Sequence, residues 1–298
     1  VTGYTLRDAR YCDAINDPPS SPAFLLYGSE HGLVELYLNG TGVYGHTIST
    51  NTRLTASTLD FIYRNNTACW VNTVHDLAVM ECARLDRLEL HWTLGHPPHY
   101  HLDYVKQMVV DWVSGNWYML DSREFIFVCA PSLSVCVTIV DSFVNKPQSL
   151  AVDPAVGHLF FCGYGMLPPK IERTLLDGED RTEIVINKLV YPAGITLDYA
   201  NKHLYWVDFY LGHLARVDYD GGNRKTIATF MKDDRPHLVT MFERTVFVLS
   251  EDGRGGLKTV DLNGDRKPKQ LRTDLNTSNV LTVVHRQRQP HVSHPCGN

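Results

Sequence analysis

The chain has 298 residues, 44% apolar and 20% charged, with a formal charge of −5 at neutral pH. That balance suits a large globular core and argues against nucleic acid as a partner. No apolar run reaches the roughly 18 residues of a membrane-spanning helix, and no basic–apolar–small leader opens the sequence, so whatever directs the chain to its compartment is expected outside this segment.

In chain order, GLVELYLNGTGVYGHTI predicts two short strands about Asn39-Gly40. Its GTGVYG fits G-x-G-x-x-G, but polar, β-like HTISTNT follows where a dinucleotide site needs a helix, so it reads as a turn. STLDFIYRNNTACWVN and MVVDWVSGNWYMLD predict hairpins that carry Asp60 and Asp111. Between them HWTLGHPPHYH holds His91, His96, His99 and His101 and reads as an exposed loop. LAVDPAVGHLFFCG repeats the hairpin with Asp153. GITLDYANKHLYWVD shows it most fully. Ile195 and Leu197 alternate with Thr196 and Asp198, Ala200–Lys202 is a turn, and Leu204, Tyr205 and Trp206 are strand formers. LVTMFERTVFVLS and VLTVVHRQRQP continue the series with Phe242 and Val284.

Markers 60, 111, 153, 198, 242 and 284 are spaced 51, 42, 45, 44 and 42 residues apart. After three of the hairpins a second pair of strands surrounds Asp177-Gly178, Asp220-Gly221 or Asn263-Gly264, expected as tight primed turns with both central residues at positive φ. Four short strands per unit of about 40–45 residues is the arithmetic of a β-propeller blade. The fold class is therefore all-β, a six-bladed propeller of four-stranded antiparallel blades. The aromatics are expected between blades, and the acids are expected to pin turns at hairpin ends.

Seven cysteines occur, none in CxxC spacing. Cys129 and Cys136 flank a short loop between strand-like pieces, as Cys69 and Cys82 flank a longer one, and both spacings suit hairpin disulfides. With the sequons at Asn39, Asn65 and Asn276, they argue for a secretory compartment and glycosylation at those asparagines. No nucleophile elbow, HExxH or P-loop is present. A calcium-dependent propeller hydrolase needs acids at equivalent inner positions, and Phe242 and Val284 interrupt that ring. No cysteine or acid completes a metal set around His96, His99 and His101. No enzyme, cofactor or metal site is expected.

Tyr205-Trp206-Val207-Asp208 resembles the Tyr-Trp-Thr-Asp signature of the low-density lipoprotein receptor class B repeat, a family that forms six-bladed propellers. The similarity runs over nearly the whole chain, although the signature is Cys69–Asn72, Tyr118–Asp121, Phe160–Gly163 and Phe247–Ser250 in other blades. The pieces QMVVDWVSGNWYMLD, IVINKLVYPAGITLDY and VVHRQRQP, with the two cysteine pairs, are most similar to an early propeller of the giant, alpha-2-macroglobulin-receptor branch. The resemblance implies the tail of an EGF-like module over residues 1–20, a propeller over 21–290 and the start of another EGF-like module over 291–298, with Cys12 and Cys296 paired outside the segment. Cys162 is expected to be a buried free thiol.

The resemblance also implies an extracellular part of a single-pass endocytic receptor, working at the plasma membrane and in endosomes. It would dock protein ligands and the receptor's own acidic class A repeats beside EGF-like modules. It would not insert into the membrane itself, and calcium is expected only in neighbouring modules. Such a propeller helps release ligand in acid. Charging all fourteen histidines would take the formal balance from −5 to +9. His96, His99, His101, His237 and Lys106 are the candidates for pH sensing or partner binding. A constitutive protein-binding propeller, of Wnt co-receptor or basement-membrane type, is the alternative, and the hydrolase the less favoured one.

Overall fold

The computed structural model describes residues 22–29, 32–39, 58–74, 77–141, 146–165, 167–251, 256–273, 275 and 280–290. The strands are β1 (Phe24–Ser29) and β2 (Gly32–Tyr37), then β3 (Thr58–Ile62), β4 (Thr67–Val74), β5 (Leu77–Arg84) and β6 (Arg87–Gly95). Next come β7 (Val105–Val110), β8 (Trp117–Asp121), β9 (Phe125–Cys129) and β10 (Cys136–Val140), then β11 (Lys146–Asp153), β12 (His158–Tyr164), β13 (Lys170–Leu175) and β14 (Thr182–Val185). The series ends with β15 (Pro192–Asp198), β16 (His203–Asp208), β17 (His213–Asp218), β18 (Lys225–Thr229), β19 (Pro236–Phe242), β20 (Thr245–Ser250), β21 (Gly256–Asp261), β22 (Lys269–Arg272) and β23 (Leu281–Val284).

Five sheets are four-stranded, β3–β6 through β19–β22. In the sixth, β1 pairs antiparallel with β2 on one side and with β23 on the other, so among the described residues this blade has three strands. The inner strands touch in the order β3, β7, β11, β15, β19, β23 and back to β3, which closes a six-bladed propeller. Side chains of one inner strand stitch the backbone of the next. Met108 N–H donates to Thr58 Oγ1 at 2.6 Å, Val110 N–H to Asp60 Oδ2 at 2.8 Å, Leu150 N–H to Gln107 Oε1 at 2.7 Å, and Ile195 N–H to Ser149 Oγ at 3.1 Å. Each satisfies a donor that has no strand partner on the channel side. The stitches also align the inner strands in one direction. All of them begin at one face, the entry face, and end at the other, the exit face.

Alternation along a strand packs the blades together. Leu204 and Trp206 join Phe160 and Ile171 of the third blade, while Tyr205 and Val207 join Val246 and Val248 of the fifth. Tyr205 and Trp206 are thus core residues, 3% and 1% exposed. Burying each such side chain stabilises the fold by about 1.5–3 kcal/mol. The last joint works the same way, with Phe24, Leu26 and Leu33 packing on Trp70 of the first blade and Leu25 and Leu36 on Phe247 and Leu249 of the fifth.

Disulfides join the facing pairs Cys69–Cys82 of β4 and β5 and Cys129–Cys136 of β9 and β10, with Cα atoms 4.0 and 4.1 Å apart. Cys162 is a buried free thiol whose Sγ–H donates to Pro192 O at 3.3 Å, and burial pushes its pKa up to about 12. Two local expectations need correction. The Asp-Gly turns are not primed, because Gly178 and Gly221 have positive φ but Asp177 and Asp220 do not. Gly178 N–H donates to Leu175 O and Gly221 N–H to Asp218 O, so each loop is a type I turn with glycine in the left-handed place after it. A Cβ at Gly221 would also lie 2.9 Å from Ile184 O of the neighbouring blade. In the third loop Gly264 has no positive φ, and Arg266 takes the left-handed conformation instead. The histidine segment is loop only from His96, since His91–Gly95 belongs to β6.

The inner strands enclose a cavity of about 100 Å³. The Arg-Gln-Arg-Gln-Pro segment that follows β23 lies over its exit end. Gln289 accepts from Tyr63 N–H at 2.8 Å and donates to Phe61 O, and Pro290 O accepts from Trp112 Nε1 at 3.2 Å. Arg288 reaches the opposite blade, with Nη1 donating to Leu197 O at 2.9 Å. The GTGVYG segment, the proposed EGF-like tails with Cys12 and Cys296, and Asn276 lie outside the described residues.

Candidate docking face

The entry face carries the connections between blades and the loops after the second strand of each blade. On the third and fourth blades these bring four aromatics together. The ring of Tyr191 lies 3.9 Å from Tyr164, 5.1 Å from Phe209 and 5.6 Å from Tyr210, centroid to centroid. Tyr210 is 65% exposed, and Met231, on the connection to the fifth blade, is 79% exposed. Val190 and Leu167 add exposed apolar surface beside them.

One buried acid fixes this arrangement. Asp208 closes β16, and its Oδ2 accepts from Val190 N–H at 2.8 Å and Tyr191 N–H at 3.1 Å. Its Oδ1 accepts from Leu211 N–H at 3.0 Å. A single carboxylate therefore holds both the loop that presents Tyr191 and the loop that presents Tyr210, as the expected turn-pinning acid. Asp121 stands at the same place in the second blade and grips Arg123, with Nη2 donating to Oδ2 at 2.8 Å; Arg123 in turn lies over the Tyr104 ring. The hydrogen bond from Arg123 to Asp121 holds the guanidinium pKa above its usual range.

All five sequence candidates lie on this face, but not as one cluster. His96, His99 and His101 are exposed on the connection from β6 to β7. Tyr100 anchors that loop, stacked 4.3 Å from Phe127 and with its hydroxyl 3.0 Å from Thr138 Oγ1. The His101 ring meets the edge of Tyr104. His237 is half-buried near the start of β19, on the far side of the ring. Lys106 joins the aromatic group through Gln148, whose Oε1 accepts from Lys106 Nζ and from Tyr191 Oη at 3.0 Å. Burial pushes the Lys106 ammonium pKa down, and burial followed by the Tyr164 hydroxyl pushes the Tyr191 phenol up. Sequence reading missed the aromatic group. Its signal was Phe209-Tyr210, two large aromatics directly after the strand-ending acid, in a loop with no blade left to cover them.

In the channel, Asp60 is the one acid among the described lining residues. Its Oδ2 accepts from Val110 N–H, its Oδ1 from Phe61 N–H, and burial lifts its pKa to about 6. The described residues include no group of three histidine, cysteine or acidic side chains arranged to hold a metal ion.

No family model matches the chain. It is 27% identical over 301 residues to the vitellogenin receptor Yl of Drosophila melanogaster, covering 99% of this chain and 15% of that receptor. It is 27% identical over 188 residues to a vitellogenin receptor of Solenopsis invicta, covering 63% of this chain and 10% of that protein. The chain thus spans a small fraction of the length of these relatives, and the matches do not choose among branches of their receptor family. A chain in the crystal structure of a nidogen/laminin complex superposes with a TM-score of 0.74 at 18% identity, covering 88% of this chain and 98% of that one. The chain is a six-bladed β-propeller, similar over nearly all its length to one vitellogenin receptor and over about two thirds of it to a second.

Proposed function

We propose that this propeller is a non-enzymatic, extracellular docking module of an endocytic receptor and that protein partners engage its entry face. The observation that carries this reading is the Asp208-held aromatic group. Exposed Tyr210 packs on Tyr191 and Phe209, Tyr191 packs on Tyr164, and exposed Met231 lies near Gly212 of the same loop as Tyr210, the composition of a protein-binding hot spot rather than of solvated surface. The similarity to vitellogenin receptors supports the receptor setting. The partners in this reading are protein ligands and the receptor's own calcium-loaded class A repeats, with EGF-like modules alongside. Asn39, Asn65 and Asn276 are glycan acceptors in the same setting.

Acid release is the finer part of the reading. His96, His99 and His101 share the entry face with Lys106 and His237, so acid adds positive charge to the surface that holds the aromatic group. An acidic repeat would then be drawn to it. Binding of the chain to calcium-loaded class A repeats, measured at neutral and endosomal pH, tests this. Tighter binding in acid that weakens in the His99→Ala, His101→Ala double variant supports the switch. Binding equal at both pH values leaves a constitutive docking propeller, the reading that the structural likeness to a chain of a nidogen/laminin complex favours.

A further inference from the structure

The turn between β18 and β19 is built on a buried ion pair. Asp234 is 6% exposed and Lys258, on β21, is 7% exposed. Lys258 Nζ donates to Asp234 Oδ1, and Asp234 Oδ2 accepts from Met231 N–H at 2.9 Å. The turn closes on itself where Asp234 N–H donates to Met231 O at 3.0 Å. Phe230 is buried in the joint of the fourth and fifth blades with Val246 and Val248, and its N–H donates to Gly212 O at 2.8 Å. Gly212 N–H in turn donates to Asp208 O at 2.9 Å. A connected path thus runs from Lys258 to the loop that presents Tyr210, and exposed Met231 stands midway along it.

Lys258 occupies a core place. It faces Val248 of β20, on the side packed against the fourth blade. The same place holds Phe127 opposite Met119 in the second blade and Ala215 opposite Trp206 in the fourth, so the ring does not call for a cation there. Where the place holds an acid, partners come from the acid's own blade. Glu81 accepts from Trp70 Nε1 at 3.1 Å and Asn72 Nδ2 at 3.0 Å, and Glu172 accepts from Arg181 Nε at 2.8 Å. Lys258 instead reaches a connection between blades. A buried ion pair stabilises a fold about as much as well-packed apolar side chains of similar volume, so packing alone does not account for this one. What it fixes is the shape of the turn. We propose that Asp234 and Lys258 are positioning residues of the docking face, setting the Phe230–Arg235 turn so that Met231 stands out beside the Tyr210 loop as a second apolar anchor for the protein partner. The inference rests on the docking reading above.

The test measures binding to calcium-loaded class A repeats, with urea midpoints and amide exchange read on the same proteins. Lys258→Met with Asp234→Leu replaces the pair by apolar side chains and should leave the midpoint at or above that of the unaltered chain. Its Kd should rise about tenfold. Exchange should quicken at Met231, while Val190 and Tyr191, held by Asp208, keep their protection. Met231→Ala, at an exposed site, should weaken binding by a similar factor, and it carries the test whatever the double variant does to folding. Adding it to the double variant should cost nothing further, because the pair acts through Met231. A Kd within about twofold of the unaltered chain in Met231→Ala or in the double variant, with Tyr210→Ala still weakening binding, overturns this inference and leaves the docking reading standing. Fully additive losses in the triple variant also overturn it. Binding unchanged in Tyr210→Ala as well overturns both.

Discussion

Arg288 Nη1 donates to Leu197 O at 2.9 Å, joining the segment that leaves the sixth blade to the inner strand of the fourth, across the channel. The same guanidinium lies 5.1 Å from the Tyr199 ring, and Nη2 reaches Thr196 Oγ1 at 3.3 Å. Three contacts from one side chain hold the exit end shut. Arg288→Ala should therefore lower unfolding stability by about 1–3 kcal/mol. Gln287→Ala, exposed on the same turn, should stay within about 0.5 kcal/mol. Urea midpoints of the two variants check this, and equal midpoints would reject the clasp.

Asp208 is fully buried and accepts three backbone N–H groups. Asp208→Ala leaves those donors unsatisfied and should cost roughly 2–4 kcal/mol. Asp198 accepts only from Asn201, at an exposed turn, and Asp198→Ala should cost about 1 kcal/mol or less. Amide exchange is the sharper readout. The Asp208 variant should lose protection at Val190, Tyr191 and Leu211 together.

Trp206 and Tyr210 separate packing from docking. Trp206→Ala empties a core site and should destabilise by about 3–5 kcal/mol. Tyr210→Ala should leave the melting temperature nearly unchanged and weaken protein binding at the entry face. Unaltered binding to class A repeats in the Tyr210 variant would remove the aromatic group from the docking surface.

The disulfide of the second blade can be removed alone. Cys129→Ser with Cys136→Ser should cost about 2–4 kcal/mol, read from denaturant unfolding under non-reducing conditions. Intact mass before and after thiol alkylation should show four bridged cysteines and Cys162 unreacted in the folded chain.

Buried Glu35 gives a pH signature, since burial lifts its pKa to about 7. The folded state then holds a proton that the unfolded chain releases near 4.5. Its stabilising contribution is full below that value and lost as pH rises through about 7. Asp60 acts in the same direction up to about 6. Burial lowers the pKa of His158, His203 and His285, so these act oppositely, and their contribution is lost as pH falls below the usual 6.5. Glu35→Gln should flatten the part of the stability profile between about 4.5 and 7, and an unchanged slope in urea titrations would contradict this assignment.

Much of the ring was legible because it repeats. Asp60, Asp111, Asp153, Asp198, Phe242 and Val284 were spaced as inner-strand markers, and each lies in or directly after one. Tyr205 and Trp206 were legible as interblade core because strand alternation leaves them no other place. The type I turns at Gly178 and Gly221 were not, because Asp-Gly serves two loop lengths and only the register of β13 with β14 and of β17 with β18 decides between them. The entry-face cluster was hidden for a different reason. Tyr164 ends β12 while Tyr191 and Tyr210 come from two separate loops, and the meeting of those two loops depends on the single carboxylate of Asp208. The role of Arg288 was equally hidden, since nothing local says that a residue after the last strand will bond to the fourth blade.

The pairing of β1 with β23 has a consequence for the birth of the molecule. Phe24 faces Val284, so the ring is fastened by joining an early stretch of the polypeptide to a late one. While the intervening blades are being made, β1 has a bare edge and the first and fifth blades show uncovered apolar faces. Closure across so long a separation is slow, and such edges invite mispairing in the meantime. Chaperone demand during synthesis, and sensitivity to anything that trims the Leu281–Pro290 stretch, are built into a circle whose clasp is the last part to arrive.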